Sequence, residues 1–169
     1  MKSGSSVHLS VVIPAYNEEH RLPSTLCSVV DYLSAQVYGS EIVVVDDGSE
    51  DGTAEVVRGM DGGKIPVRLC AQPDGANHGK GAAVKLGMIQ AAGEYRLFMD
   101  ADNSTSIYEL DKFLPLMKQG YDVVIASRRS KEADIVESQP IARIVLGVFY
   151  ILLSKCILGL NINDFNCGF

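Results

Sequence analysis

Short apolar runs rich in β-branched residues recur along this chain, and polar or charged residues follow within a few positions of each. Leu9–Ile13, Ile42–Val45, Val67–Ala71, Tyr95–Met99 and Val123–Ala126 each read as a buried strand. Helical patterns lie between them. Leu22, Leu26, Val29, Val30 and Leu33 share one helix face, with Pro23 suited to the first turn. Residues 82–92 form a second pattern, and Thr53–Arg58 a shorter one. Ile107, Leu110, Phe113, Leu114 and Met117 mark a third, entered from Ser104-Thr105-Ser106 as N-caps. Pro115 is expected to kink it. Strands that alternate with helices need crossover connections, so the chain is predicted to be α/β with a mostly parallel sheet.

Composition narrows the reading. The chain has 169 residues, 47% hydrophobic and 21% charged, enough for one core and unlike a disordered chain. A single domain over 1–169 is expected. The formal charge of −6 argues against a nucleic-acid partner. That charge is uneven, because residues 128–155 hold Arg128, Arg129, Lys131, Arg143 and Lys155 and are mildly basic. Within 140–160, Ile144–Leu153 is an unbroken apolar run with one glycine, flanked by Arg143 and Lys155. It is shorter than the roughly 20 residues that span a bilayer, so an interfacial or a buried helix is expected. The first ten residues have no apolar core of a signal peptide. The four cysteines form no C-x-x-C pair and read as reduced thiols in a cytosolic compartment.

In open α/β sheets, ligands bind beyond the carboxyl ends of the strands. Here those positions hold Pro14-Ala15-Tyr16-Asn17-Glu18-Glu19, Asp46-Asp47-Gly48-Ser49, the 74–81 segment, Asp100-Ala101-Asp102 and Ser127-Arg128-Arg129. The two acids of Asp100-Ala101-Asp102 suit Mg²⁺ or Mn²⁺, which want hard oxygen ligands. The alternative is a capping turn before the helix that follows. Asp47 can accept from a ribose or a base, while Gly48 serves the turn. Lys80, between Gly79 and Gly81 before a helix, suits a phosphate, or stands as a solvated first-turn residue. One of Glu18 and Glu19 is expected to face the site, since adjacent residues of an extended segment point apart. Tyr16 can stack on a base or pack at the core edge. His8, His20 and His78 read as surface or loop residues.

The assembled pattern resembles glycosyltransferase family 2 enzymes of the GT-A fold. The matching segments are residues 11–19, Val44-Val45-Asp46-Asp47-Gly48-Ser49, Asn77-His78-Gly79-Lys80-Gly81 and Asp100-Ala101-Asp102, in the family's order. Glu19-His20-Arg21-Leu22-Pro23, Ser127-Arg128 and Asp164-Phe165-Asn166-Cys167-Gly168-Phe169 are similar to its dolichyl-phosphate β-glucosyltransferase branch. The next neighbour is a polyprenyl-phosphate mannosyltransferase.

The resemblance implies an inverting, metal-dependent transfer of a hexose, with glucose from UDP-glucose first, to a dolichyl or polyprenyl phosphate. It places Pro14, Ala15, Tyr16, Glu18, Asp47, Lys80, Asp100 and Ala101 at the nucleotide, and Asp100 and Asp102 at Mg²⁺ or Mn²⁺. Arg128 falls near the phosphates, and Asp164 is either a base for a hydroxyl acceptor or an orienting residue for a phosphate. Asp100, Asp102, Asp164 and Arg128 make up the implied catalytic set. The implied partners are a nucleotide-sugar donor, a lipid-phosphate acceptor and a membrane surface. The implied place is the cytoplasmic face of the endoplasmic reticulum in a eukaryote, or of the inner membrane in a bacterium. The alternatives are GDP-mannose as donor, a sugar hydroxyl as acceptor, or an inactive nucleotide-binding remnant. The sequence stops at Phe169, inside the last matching motif, so a C-terminally truncated GT-A domain is expected.

Overall fold

The computed structural model describes residues 7–127, 146, 150, 151, 153–157, 159, 164 and 167–169. They fall into two compact units, Met1–Pro115 with Phe169, and Leu116–Gly168. The first unit alternates strand and helix: β1 Leu9–Ala15, α1 Leu22–Ser34, β2 Ser40–Asp46, α2 Thr53–Gly59, β3 Val67–Ala71, α3 Lys80–Gln90 and β4 Tyr95–Phe98. A 3-10 turn, Ile107–Glu109, leads into α4, Leu110–Lys118, which crosses the unit boundary with Pro115 inside it. The sheet order is β3-β2-β1-β4, and every pairing is parallel.

Every residue of β1 and β2 is buried, as expected of inner parallel strands covered on both faces. Proline is tolerated in β1 because of where its ladder ends. The Val12 carbonyl accepts from Met99, so residue 14 turns its backbone to the same side. The β1–β4 pairing stops at Val12↔Phe98, so Pro14 removes no ladder donor.

Val12, Val43, Val45, Ala83 and Ala91 form a buried cluster beneath α3. Gly87 lets that helix settle: a Cβ there would stand 2.4 Å from Val12 Cγ1 and 2.8 Å from Val45 Cγ2. At the amino end of β2, buried Glu41 accepts from Ser10 Oγ at 2.7 Å, Ala92 N at 2.7 Å and Arg68 Nε at 2.9 Å. Burial alone pushes this carboxyl up. The Ala92 N–H, the Ser10 hydroxyl and the Arg68 guanidinium outweigh it and hold it below the usual range.

Four of the five expected strands form. The fifth, Val123–Ala126, does not: residues 123–127 are irregular, with Val123 76% and Ile125 47% exposed. β-propensity reflects fit to a paired, half-buried surface, and four residues without a partner ladder hold no strand. The expected helix at 82–92 begins two residues earlier, at Lys80. Most of the 140–160 stretch lies outside the described residues; residues 146, 150, 151 and 153–157 are helical. Among the described residues, no helix is long and apolar enough to cross a membrane.

Gly87→Ala should cost about 1–3 kcal/mol, measured by urea denaturation, because the added methyl overpacks the valines. Glu41 is held down in the folded state. Its contribution is therefore complete above the ordinary carboxyl value and is lost as pH falls through the lowered one. Acid titration of thermal stability below about pH 4.3 should show this loss, and Glu41→Gln should flatten it.

Candidate active site

Because the strands are parallel, their carboxyl ends share one edge, and a cleft of about 410 Å³ opens there. The end of β1 supplies Pro14 and Ala15, with Tyr16 and Glu18 just beyond. The end of β2 supplies Asp47, and the end of β4 supplies Asp100, Ala101 and Asp102. The start of α3 brings Gly79, Lys80 and Ala83. All eight expected nucleotide residues and both expected metal acids therefore line one cleft, within the first unit.

Local geometry explains how each side chain arrives. Asp46 caps the turn after β2, accepting from Ser49 N at 2.9 Å. Gly48 is left-handed at φ +77, and a Cβ there would come within 2.8 Å of Ala76 C and Asn77 N. That close approach brings the 74–79 loop against Asp47. The Asp47 carboxylate, 2% exposed, accepts from Gln72 Nε2 at 2.9 Å, His78 N at 3.2 Å and Gly79 N at 2.7 Å. It therefore anchors the loop that feeds α3 as well as lining the cleft. Within the same loop, the His78 ring lies 2.9 Å from both Asp74 oxygens. That contact and the Ala76 N–H hold the Asp74 carboxyl below its usual range.

Glu18 and Glu19 diverge as expected. Glu18 faces the cleft, and its oxygens accept from Arg21 Nε and Nη2, both at 2.7 Å. Glu19 turns toward α2 and accepts from Gly52 N at 2.7 Å. At the end of β4, Thr25 Oγ1 donates to Ala101 O at 2.7 Å, so α1 fixes the turn that carries the two acids. Asp100 Oδ1 lies 2.6 Å from Lys80 Nζ. Asp102 Oδ1 accepts from Ser104 N at 2.9 Å. Between them in sequence and Ser104, Asn103 is left-handed at φ 53, and its buried Oδ1 has no hydrogen-bond partner.

The lining carries four carboxylates and two cations. Among the described residues, no group of three or more His, Cys, Asp or Glu is placed to cage a metal. Asp100 and Asp102 fit a different kind of ion site. Mg²⁺ and Mn²⁺ take one or two carboxylates and complete their shells with substrate phosphate and water. Hard carboxylate oxygens at an open cleft suit that role.

Sequence reasoning missed Arg21 and Ala83 as lining residues, while Asn77 and Gly79 belong to the 74–81 segment expected at the strand ends. The signal for Arg21 was its i,i+3 spacing from Glu18. Asp164 is a buried residue of the second unit. Arg128 lies outside the described residues.

Solved structures share this architecture. Crystal structures of S. aureus TarS residues 1–349, alone and in complex with UDP-GlcNAc, each align with a TM-score of 0.55 at 27% identity, covering 67% of this chain. They cover 33% and 32% of those chains. The fold is that of the GT-A glycosyltransferases. The glycosyl transferase family 2 model matches residues 10–168, and the chain belongs to that family. A dolichyl-phosphate beta-glucosyltransferase of Drosophila melanogaster is 35% identical over all of this chain and 55% of its own length. The Mus musculus protein of that name is 32% identical over 95% of this chain and 53% of its own. An undecaprenyl-phosphate 4-deoxy-4-formamido-L-arabinose transferase of Aeromonas hydrophila is 35% identical over 73% of this chain and 38% of its own. The chain thus spans about half the length of the dolichyl-phosphate relatives it matches.

Removing the Asp47 anchor should loosen the loop before the helix. Asp47→Ala should raise amide exchange at His78 and Gly79 and cost about 1–3 kcal/mol, because a backbone donor loses its acceptor. Hydrogen exchange resolved to single amides checks this.

Proposed function

We propose that this chain carries the donor site of an inverting glycosyltransferase that moves glucose from UDP-glucose to dolichyl or another polyprenyl phosphate. The observation that carries the reading is the convergence of Asp47, Glu18, Lys80, Asp100 and Asp102 on one strand-end cleft. The names of the Drosophila and mouse relatives favour glucose, and the UDP-GlcNAc complex of TarS favours a uridine nucleotide. The Aeromonas relative pairs a different sugar with a polyprenyl phosphate, which favours a lipid-phosphate acceptor.

The residues divide the work along the cleft. Pro14, Ala15 and Asp47 border the base and ribose, and Tyr16 offers an exposed ring face for stacking. Arg21 and Lys80 bring cations to the diphosphate. Four carboxylates against two cations leave a formal charge of −2, which alone repels a nucleoside diphosphate. Asp100 and Asp102 would hold Mg²⁺ or Mn²⁺, which supplies Lewis-acid stabilisation of the departing diphosphate. Ala101, tied to Thr25, keeps the two acids at the cleft mouth.

A lipid phosphate is already anionic near pH 7, so the acceptor needs no base. Asp164 then orients it, and Arg128 serves the acceptor's phosphate. The exposed Leu146, Tyr150, Leu153 and Ile157, spaced four, three and four residues apart, support contact with a membrane surface.

Transfer from radiolabelled UDP-glucose to dolichyl phosphate, run beside GDP-mannose and sugar-alcohol acceptors, tests the assignment. Asp100→Ala and Asp102→Ala should each lower kcat by about 10²-fold or more. Transfer that survives both substitutions would sink the metal assignment. Asp164→Asn should retain most transfer to a phosphate acceptor; transfer lost there, or transfer to a sugar alcohol that depends on Asp164, would overturn the orienting role.

A further inference from the structure

Lys80 stands at the first position of α3, where the helix dipole opposes a cation. Something must offset that placement, and the partner is Asp100, at 2.6 Å. The Lys80 ammonium also lies 5.2 Å from the centre of the Phe98 ring. The Lys80 side chain is 55% exposed, against 23% for Asp100, so the carboxylate is the more enclosed partner. The second acid, Asp102, receives a backbone N–H from Ser104. The two acids of the cleft mouth therefore differ: one carries an internal counter-ion.

We propose that Lys80 is a stand-in cation, which neutralises Asp100 until a divalent ion takes that carboxylate and then turns to the nucleoside diphosphate. The inference rests on the reading of Asp100 and Asp102 as the donor-site metal ligands. Its physical basis is exclusion. A divalent ion sits about 2.1 Å from a carboxylate oxygen, and an ammonium against the same group would face strong like-charge repulsion. The lysine has somewhere to go, because its stem is flexible and half in solvent. The metal alone must displace it, so metal alone binds weakly. A nucleotide offers the displaced ammonium new phosphate oxygens. Metal and nucleotide then raise each other's affinity by the same factor, as linkage requires. Lys80 is a positioning residue in this scheme, and binding of the ion is the property it controls.

The test is Mn²⁺ titration of the chain, followed by the electron paramagnetic resonance signal of the free ion, with and without UDP. Without nucleotide, Lys80→Met should bind Mn²⁺ about three- to fivefold more tightly than the original, the worth of a partly exposed ion pair. Lys80→Arg, which keeps the pair, should stay near the original value. Arg21→Met removes a charge from the same cleft without freeing Asp100, and should tighten Mn²⁺ binding less than Lys80→Met. Equal tightening in Arg21→Met and Lys80→Met means general electrostatics and overturns the proposal. Unchanged affinity in Lys80→Met, with UDP-dependent Mn²⁺ binding intact, also overturns it and leaves the donor-site reading standing. Failure of every form to bind Mn²⁺, with UDP present, overturns the donor-site reading itself and the stand-in role with it.

Discussion

The seven-residue parallel pairing of β1 with β2 is the constraint from which the rest of the first unit follows. Both strands are buried along their whole length, so both faces of the sheet must be covered. Parallel neighbours cannot be joined by a hairpin, and the helices that cross over provide the cover. Every strand then points its carboxyl end the same way. The acids and backbone amides that follow the strands are gathered at one edge as a result of this geometry, and the cleft is what they enclose.

Strand β2 also grips the helix that carries Lys80. Glu41, near its start, accepts the amide of Ala92 just after α3, and Asp47, just past its end, accepts the amides of His78 and Gly79 just before it. Arg68, held by Glu41, reaches the carbonyl of Gln90. The six-residue step between the two acids spans about 20 Å of strand. Eleven helical residues rise about 16 Å, so the two lengths suit one another once the flanking amides are included. Buried carboxylates are costly without partners, and here their partners are the amides around both ends of one helix. The same side chains that satisfy the interior therefore fix the entrance to the donor cleft.

Much of this was legible in the sequence because the signals are local. Runs such as Ile42–Val45 announce buried strands, and Pro23 and Ser106 mark helix starts that the structure retains. The acids of the cleft were legible because strand ends place them, whatever the details of packing. What escaped depends on pairing across the chain. Val123–Ala126 has strand composition, but a strand is a property of two segments. Arg21 enters the sequence reading only as part of the 19–23 motif, and its place in the cleft emerges once Glu18 is seen to pair with it. Asp47 reads as a ligand-facing acid, and its three contacts with residues 72–79 emerge once Gly48 lets that loop come close.

The glycine within α3 limits what its neighbours can become. Gly87 lies seven residues from Lys80, roughly 10 Å along the helix, and its missing methyl sets how near α3 lies to Val12 and Val45. A larger residue at 87 avoids overpacking only where one of those valines shrinks. The three positions thus share one volume, and what one gains in size another must give up to keep the packing. The seat of Lys80 at the cleft thus depends on apolar residues that lie outside the cleft lining.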